Sequence, residues 1–271
     1  MQTSGQDGDF FLSHSGNLNR FSWRNRHFGR LTDWAFDLRL HANRERRHLE
    51  QAVAKDPPCR VLIATVLVPG REQDAHRVLQ GLARSRHHVE FATIEMADRG
   101  KFDNISEALR ERRPEAFDWV LITDDDITTP PHLLDTCLHL AAKCDLRIFQ
   151  PAHRFRSYTT FTLTQRHWNR LARVTNFVES GPLTCFRGDA LARLLPFPSM
   201  RWAWGIDVYW SEIARRESWN IGIIDAAPIR HLRPVANSYN FGVAMAEARG
   251  FLQRSGIDRP KWDILRTVRQ I

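Results

Sequence analysis

The strongest constraint on the fold is an alternation between residues 60 and 123. "RVLIATVLV" (60–68) is a continuous apolar run of strand length, and "REQDAHRVLQGLARS" (71–85) repeats Ala75, Val78, Leu79 and Leu82 at helical spacing. "HVEFATIEM" (88–96) reads as a second strand, "ISEALRERR" (105–113) as a helix with Asn104 as its cap, and "DWVLIT" (118–123) as a third strand. Strand, helix, strand, helix, strand predicts an α/β fold with a parallel, doubly wound sheet. Ligands of such sheets bind beyond the C-terminal ends of the strands. Three consecutive acids, Asp124, Asp125 and Asp126, stand at that end of the third strand.

The rest is less regular. A double proline opens a helix over 131–144, strand-like runs follow at 146–150 and 183–186, then a helix over 207–218 and a strand over 219–225. Residues 1–20 show little periodicity and are expected to be mobile. Residues 31–53 predict one helix that buries a stripe of Leu31, Trp34, Leu38 and His41. At the other end, "PKWDILRTVRQI" (260–271) predicts a short helix grouping Trp262, Leu265 and Val268. The segment from 227 onward is basic, and such a helix could lie on an anionic membrane surface or dock back on the domain.

Composition narrows the class. Formal net charge is +8, and only four of the 39 basic residues are lysines. Arginine suits phosphorylated or acidic partners. The arginines are scattered, with no basic stripe interleaved with aromatics, which speaks against a nucleic-acid-binding module. The four cysteines include no Cys-x-x-Cys pair, so neither a zinc site nor a disulfide framework is expected, and a cytoplasmic location fits. No stretch approaches the ~20 apolar residues of a membrane span. Membrane contact, if any, is expected to be peripheral.

Three adjacent carboxylates repel one another, and a bound cation relieves that repulsion. Carboxylate oxygens suit Mg²⁺ or Mn²⁺, usually shared with substrate phosphates. Alternate residues of an extended segment face one side, so Asp124 and Asp126 can share a ligand while Asp125 faces elsewhere. The plainer reading is an acidic turn before the helix that begins near Pro130.

The order of motifs resembles the GT-A glycosyltransferases, family 2-like enzymes that use nucleotide-sugar donors. Five segments carry the resemblance: "LIATVLVPGRE", "DRGKFDNISEAL" (98–109), "TDDD", "RWAWGIDVYWSE" (201–212) and "IIDAAPIRHLRPVA" (223–236). It implies a Rossmann-like, mostly parallel sheet over residues 56–240, with residues 1–55 as an N-terminal helical extension and 241–271 as a helical basic tail. It also implies that Thr65, Arg71, Asp98, Lys101, Asn104, Asp124, Asp125 and Glu179 surround the nucleotide sugar, and that Asp124, Asp126 and His231 ligate Mn²⁺ or Mg²⁺. Asp207 becomes the base acting on an acceptor hydroxyl, with Trp202 and Trp204 against that acceptor, a saccharide or lipid-linked molecule. UDP-sugar is the expected donor. The family's usual Glu-Asp reads Ile206-Asp207 here, which leaves Asp207 as the single acid.

Each residue also has an ordinary reading. Asp207 can be a helix N-cap, His231 a structural histidine, Lys101 a solvated cation, Glu179 the partner of an arginine, and the tryptophans core. "VLITDDDIT" also fits a haloacid-dehalogenase-type phosphatase with Asp124 as nucleophile and Asp126 as general acid, but two strands precede it and "RGDALAR" (187–193) lacks the second acid of that family.

Overall fold

The computed structural model describes residues 15–18, 20–42, 45–235 and 239–270. Helices α1 (Trp23–Ala42) and α2 (Glu45–Val53) come first. The predicted alternation follows as β1 (Arg60–Leu67), α3 (Glu72–Ala83), β2 (His88–Glu95), α4 (Lys101–Ala108) and β3 (Trp119–Thr123). Next come β4 (Ile127–Thr128), α5 (Leu133–Lys143), β5 (Leu146–His153), β6 (Ala172–Thr175) and β7 (Leu183–Arg187). The chain continues through α6 (Gly188–Leu194), α7 (Ile206–Arg216), β8 (Asn220–His231), α8 (Phe241–Arg254), α9 (Lys261–Ile264) and β9 (Thr267–Gln270).

The strands form one mixed sheet in the order β2-β1-β3-β7-β5-β8-β6-β9, with β4 paired to β8 off this path. β2, β1 and β3 pair in parallel, as do β5 and β8, whereas β7 and β6 run against their neighbours. Strand β1 explains the layering. Val61 and Ile63 pack into one core with Val78 and Leu82 of α3, while Leu62 and Ala64 pack into a second with Phe102 and Ile105 of α4. Alternate residues face opposite sides, so an unbroken apolar run is what a strand covered on both faces needs. From β1 the chain crosses to β2 through α3, then returns past β1 to β3 through α4. The reversal leaves a crevice between the C-terminal ends of β1 and β3, the place where open α/β sheets bind ligands.

The ends of the chain depart from expectation. Residues 1–14 and 19 lie outside the described residues. Asn17 and Leu18, within the segment expected to be mobile, are buried. Asn17 Nδ2 donates to Phe155 O and Ser157 O, each at 3.2 Å. The predicted single helix over 31–53 is two helices, and its stripe points outward: Leu31 and Trp34 are each 63% exposed and Leu38 49%; the side chain of His41 lies outside the described residues. The cause is that α1 docks by its polar side. Buried Asp33 accepts the Phe155 N–H at 3.1 Å, and Asp37 binds Arg154 at 2.9 Å and Arg166 at 2.7 Å. The predicted C-terminal helix is a single turn followed by β9, which extends the sheet against β6 and leaves Trp262 exposed. Pairing with β9 covers the edge of β6, whose N–H and C=O groups would otherwise stay open.

Arg173 and Asp225 form a fully buried ion pair between β6 and β8. Arg173 Nε lies 2.8 Å and Nη2 3.0 Å from the Asp225 oxygens, and the guanidinium also donates to Leu163 O and Gln165 O. Removing one partner strands a buried charge. Arg173→Met is expected to lower unfolding free energy by ~3–5 kcal/mol in chemical denaturation; a loss under ~1 kcal/mol would show that the pair is dispensable.

Candidate active site

The crevice at the sheet's reversal is charged. β1 leads to Arg71 and β3 to the acids. Arg71 Nη2 binds Asp125 directly and lies 3.6 Å from Asp126 Oδ2. Burial pushes the Asp125 carboxyl up to about 6, and the neighbouring Arg71 only partly offsets this. Lys101, the first residue of α4, reaches Asp124 at 2.6 Å. Gly181 leaves room for that pair: a Cβ there would sit 3.3 Å from Asp124 Oδ2 and 3.4 Å from Lys101 Nζ.

The acidic turn is fixed by β4. Ile127 pairs with His231 and Thr128 with Arg230, and the Leu232 N–H donates to Asp126 O at 2.9 Å. This brings His231 Nε2 to 3.3 Å from Asp126 Oδ1. Burial opposes charge on both groups, but their mutual contact prevails, lowering the Asp126 carboxyl and raising the His231 imidazole.

Asp207 stands in the first turn of α7, placed by Gly205, whose φ of 88° is a left-handed conformation that glycine adopts without strain. Its Oδ1 accepts the Val208 N–H at 2.9 Å. Burial pushes its carboxyl up to about 7, with the Glu179 charge adding to the rise and the amide donors opposing it. Burial outweighs the helix N-terminus, which would favour the ionised form.

Lys101, Asp124, Glu179, Trp204, Asp207 and His231 line one cleft of about 170 Å³, with Asp126 behind it against His231. It has room for a ring-sized group, well under the ~300–1,000 Å³ of a whole ligand pocket. Trp202 stacks on Tyr239 with centroids 4.4 Å apart, and Trp204 Nε1 donates to the Tyr239 hydroxyl at 2.6 Å, so both tryptophans flank the cleft. Glu179 also reaches it, but its carboxylate is engaged with the Thr160 and Phe161 N–H groups, the Thr164 hydroxyl and His153. His153 is fully buried and its Nδ1 meets Ser157 Oγ at 2.9 Å; Ser157 Oγ in turn accepts the His231 N–H at 2.8 Å. Sequence reasoning missed His153, Ser157 and Tyr239, because their roles arise only when separated loops meet.

Three expected donor contacts have other partners. Thr65 Oγ1 donates to Thr123 O at 2.8 Å, tying β1 to β3. Asp98 is exposed and pairs with Arg201 at 2.6 Å. Asn104 lies inside α4 rather than before it; its side chain accepts the Ala97 N–H and donates to Gly100 O, bracing the loop that delivers Lys101. A larger hollow of about 790 Å³ lies between α2, α5 and β8. Arg154 pairs with Asp37, Arg46 with Glu50, and Arg86 donates to Val53 O, so the hollow reads as the seam under the N-terminal helices.

Asp126 and His231 suit a divalent ion in kind, an anionic oxygen and an imidazole nitrogen held 3.3 Å apart. The expected third ligand, Asp124, faces Lys101 instead. Among the described residues no group of three or more His, Cys, Asp or Glu side chains is arranged to hold an ion, and no helix is long and apolar enough to cross a membrane.

No family model and no curated protein matches the chain. Among solved structures it is similar to residues 1–349 of TarS from S. aureus in complex with UDP-GlcNAc, at 12% identity and TM-score 0.47, covering 67% of this chain and 61% of that one. The same TarS fragment without ligand gives 11% identity, TM-score 0.46 and coverage of 64% and 60%. GalNAc-T7 with UDP, GalNAc and Mn²⁺ gives 8% identity, TM-score 0.48 and coverage of 74% and 49%. The chain thus spans about three fifths of the TarS fragment. Identities this low leave the chemistry to be read from the site's own residues.

The raised Asp207 carboxyl carries a stability consequence. Its folded value of about 7 exceeds the ordinary 3.8. Between these values the native state holds a proton that the unfolded chain has released, so stability falls as pH rises through that window, by ~2–4 kcal/mol. Asp207→Asn is therefore expected to raise the melting temperature at pH 8 and to leave it unchanged near pH 4. Equal shifts at both pH values would contradict the burial account.

Proposed function

We propose that the protein is a glycosyltransferase of GT-A type that moves a sugar from a nucleoside diphosphate donor to an acceptor hydroxyl with inversion. One observation carries this reading: an acid pushed up to about 7, Asp207, shares a ring-sized cleft with Asp124 and His231 at the open end of the sheet. A base with such a value is matched to neutral pH. The acceptor enters beside Trp202 and Trp204, whose faces suit a sugar ring. Asp207 takes the hydroxyl proton as the oxygen bonds to the anomeric carbon, and the bond from that carbon to the diphosphate breaks on the opposite side.

Lys101 and Arg71 hold positive charge beside the departing diphosphate. Asp126 and His231 would hold Mn²⁺ or Mg²⁺, with Asp124 joining once its contact with Lys101 is released or binding the ribose instead. A divalent ion at that point supplies charge neutralisation to the leaving nucleotide. Glu179 positions the loop at 159–161 that walls the cleft, and UDP-sugars are the first donors to test.

Asp207→Asn is expected to lower kcat by ~10²–10⁴-fold in a sugar-transfer assay while donor affinity stays within a few-fold. Loss of donor binding in calorimetry would place Asp207 in the nucleotide site and sink its role as base. His231→Ala is expected to weaken Mn²⁺ binding by at least ~10-fold, since even outer-shell losses cost that much. His231 holds its proton above the ordinary 6.5, so ion binding is expected to release a proton and to weaken as pH falls through a window above that value. Affinity independent of pH in titrations between pH 6 and 8 would remove His231 from the ligand set.

A further inference from the structure

Helix α1 is built inside out. Its acids, Asp33 and Asp37, face the body of the protein and bind Phe155 N–H, Arg154 and Arg166. Phe36 packs inward on Phe155 and Trp168, but five other large apolar side chains face away: Trp23 is 71% exposed, Phe28 47%, Leu31 63%, Trp34 63% and Leu38 49%. Spaced at 100° per residue, these five fall within one stripe less than half the circumference wide, about 22 Å long at 1.5 Å per residue. Monomeric soluble proteins rarely leave so continuous an apolar surface open, and one of this size marks an interaction site.

The flanks of the stripe say what covers it. Arg24, Arg26 and Arg30 are exposed along it; the first turn of α1 holds no acid, and Asp37 is committed to Arg154 and Arg166. Three of the five apolar residues are aromatic, the type that settles at the boundary between headgroups and acyl chains. An apolar face rich in Trp, Phe and Leu and edged with arginine is the pattern of a helix lying in the plane of a bilayer surface. A second copy would set one all-basic flank against another. We infer that α1 docks the protein on anionic phospholipid bilayers, with Leu31 and Trp34 at the centre of the contact. Just before α1, Phe21 stacks on Tyr158 with centroids 4.8 Å apart, and Tyr158 lines the cleft. Docking would therefore hold one wall of the cleft close to the headgroups. This inference stands on α1 alone and does not require the transfer reaction.

The test is flotation of the full chain with phosphatidylcholine vesicles containing or lacking phosphatidylglycerol, at low and at physiological salt. The expected result is flotation only with the anionic vesicles, weakened by salt. Leu31→Glu with Trp34→Glu should reduce it by about tenfold or more. Both side chains are exposed, so circular dichroism should report an unchanged fold. Arg24→Ala with Arg26→Ala should weaken binding and flatten its salt dependence. No flotation at low salt, or equal flotation of the Leu31/Trp34 variant, would overturn the inference. A dimer in sedimentation that this variant dissolves would assign the face to a second copy and overturn it as well.

Discussion

Two residue pairs of antiparallel ladder, Ile127 with His231 and Thr128 with Arg230, tie the acidic turn after β3 to the end of β8. Without them, Asp126 and His231, 105 positions apart in the chain, would have no reason to meet. With them, the two groups sit 3.3 Å apart and their charges shift one another. The same link closes the cleft opposite Asp207, because β8 also holds the Ser157 hydroxyl through the His231 N–H. The sheet's reversal between β1 and β3 decides where a ligand can bind, and the β4–β8 ladder decides which chemistry it meets there.

The cleft works by opposing burial against charge. Asp125 and Asp207 are pushed up because desolvation exceeds the help they receive, while Asp126 falls because His231 and Arg71 outweigh the same cost. Carboxylates in one region of the fold are therefore shifted in opposite directions by their surroundings. Lys101 completes the arrangement from α4, and Asn104 braces the loop behind it.

The central strands and their helices were legible because local pattern and tertiary environment agree there. β1, β3, α3 and α5 bury what their spacing says they should, whereas β2 buries only Ala92 and leaves Phe91 exposed. The grouping of Asp124, Asp126, Asp207 and His231 rests on the resemblance in motif order; the structure lines one cleft with Asp124, Asp207 and His231 and sets Asp126 against His231. The failures share a cause. The stripe of Leu31, Trp34 and Leu38 predicts a core face, yet α1 docks through Phe36 and through Asp33 and Asp37, which meet the Phe155 N–H, Arg154 and Arg166. The spacing of "PKWDILRTVRQI" allows a helix, but only Lys261–Ile264 forms a turn of one, and Thr267–Gln270 pairs as a strand with the edge of β6. His153 and Ser157 carry no local signal, since their value lies in contacts with Glu179 and His231 far along the chain.

The claim that the crevice between β1, β3 and α7 receives a nucleoside diphosphate sugar is tested most directly by a crystal structure grown with Mn²⁺ and UDP. The expected outcome is a diphosphate between the Asp124–Asp126 turn and Asp207, near Lys101 and Arg71, with the ion ~2.0–2.3 Å from Asp126 and His231. UDP bound instead in the hollow beneath α2, or an ion at the acids more than ~6 Å from His231, a distance no ligand bond spans, would contradict the account.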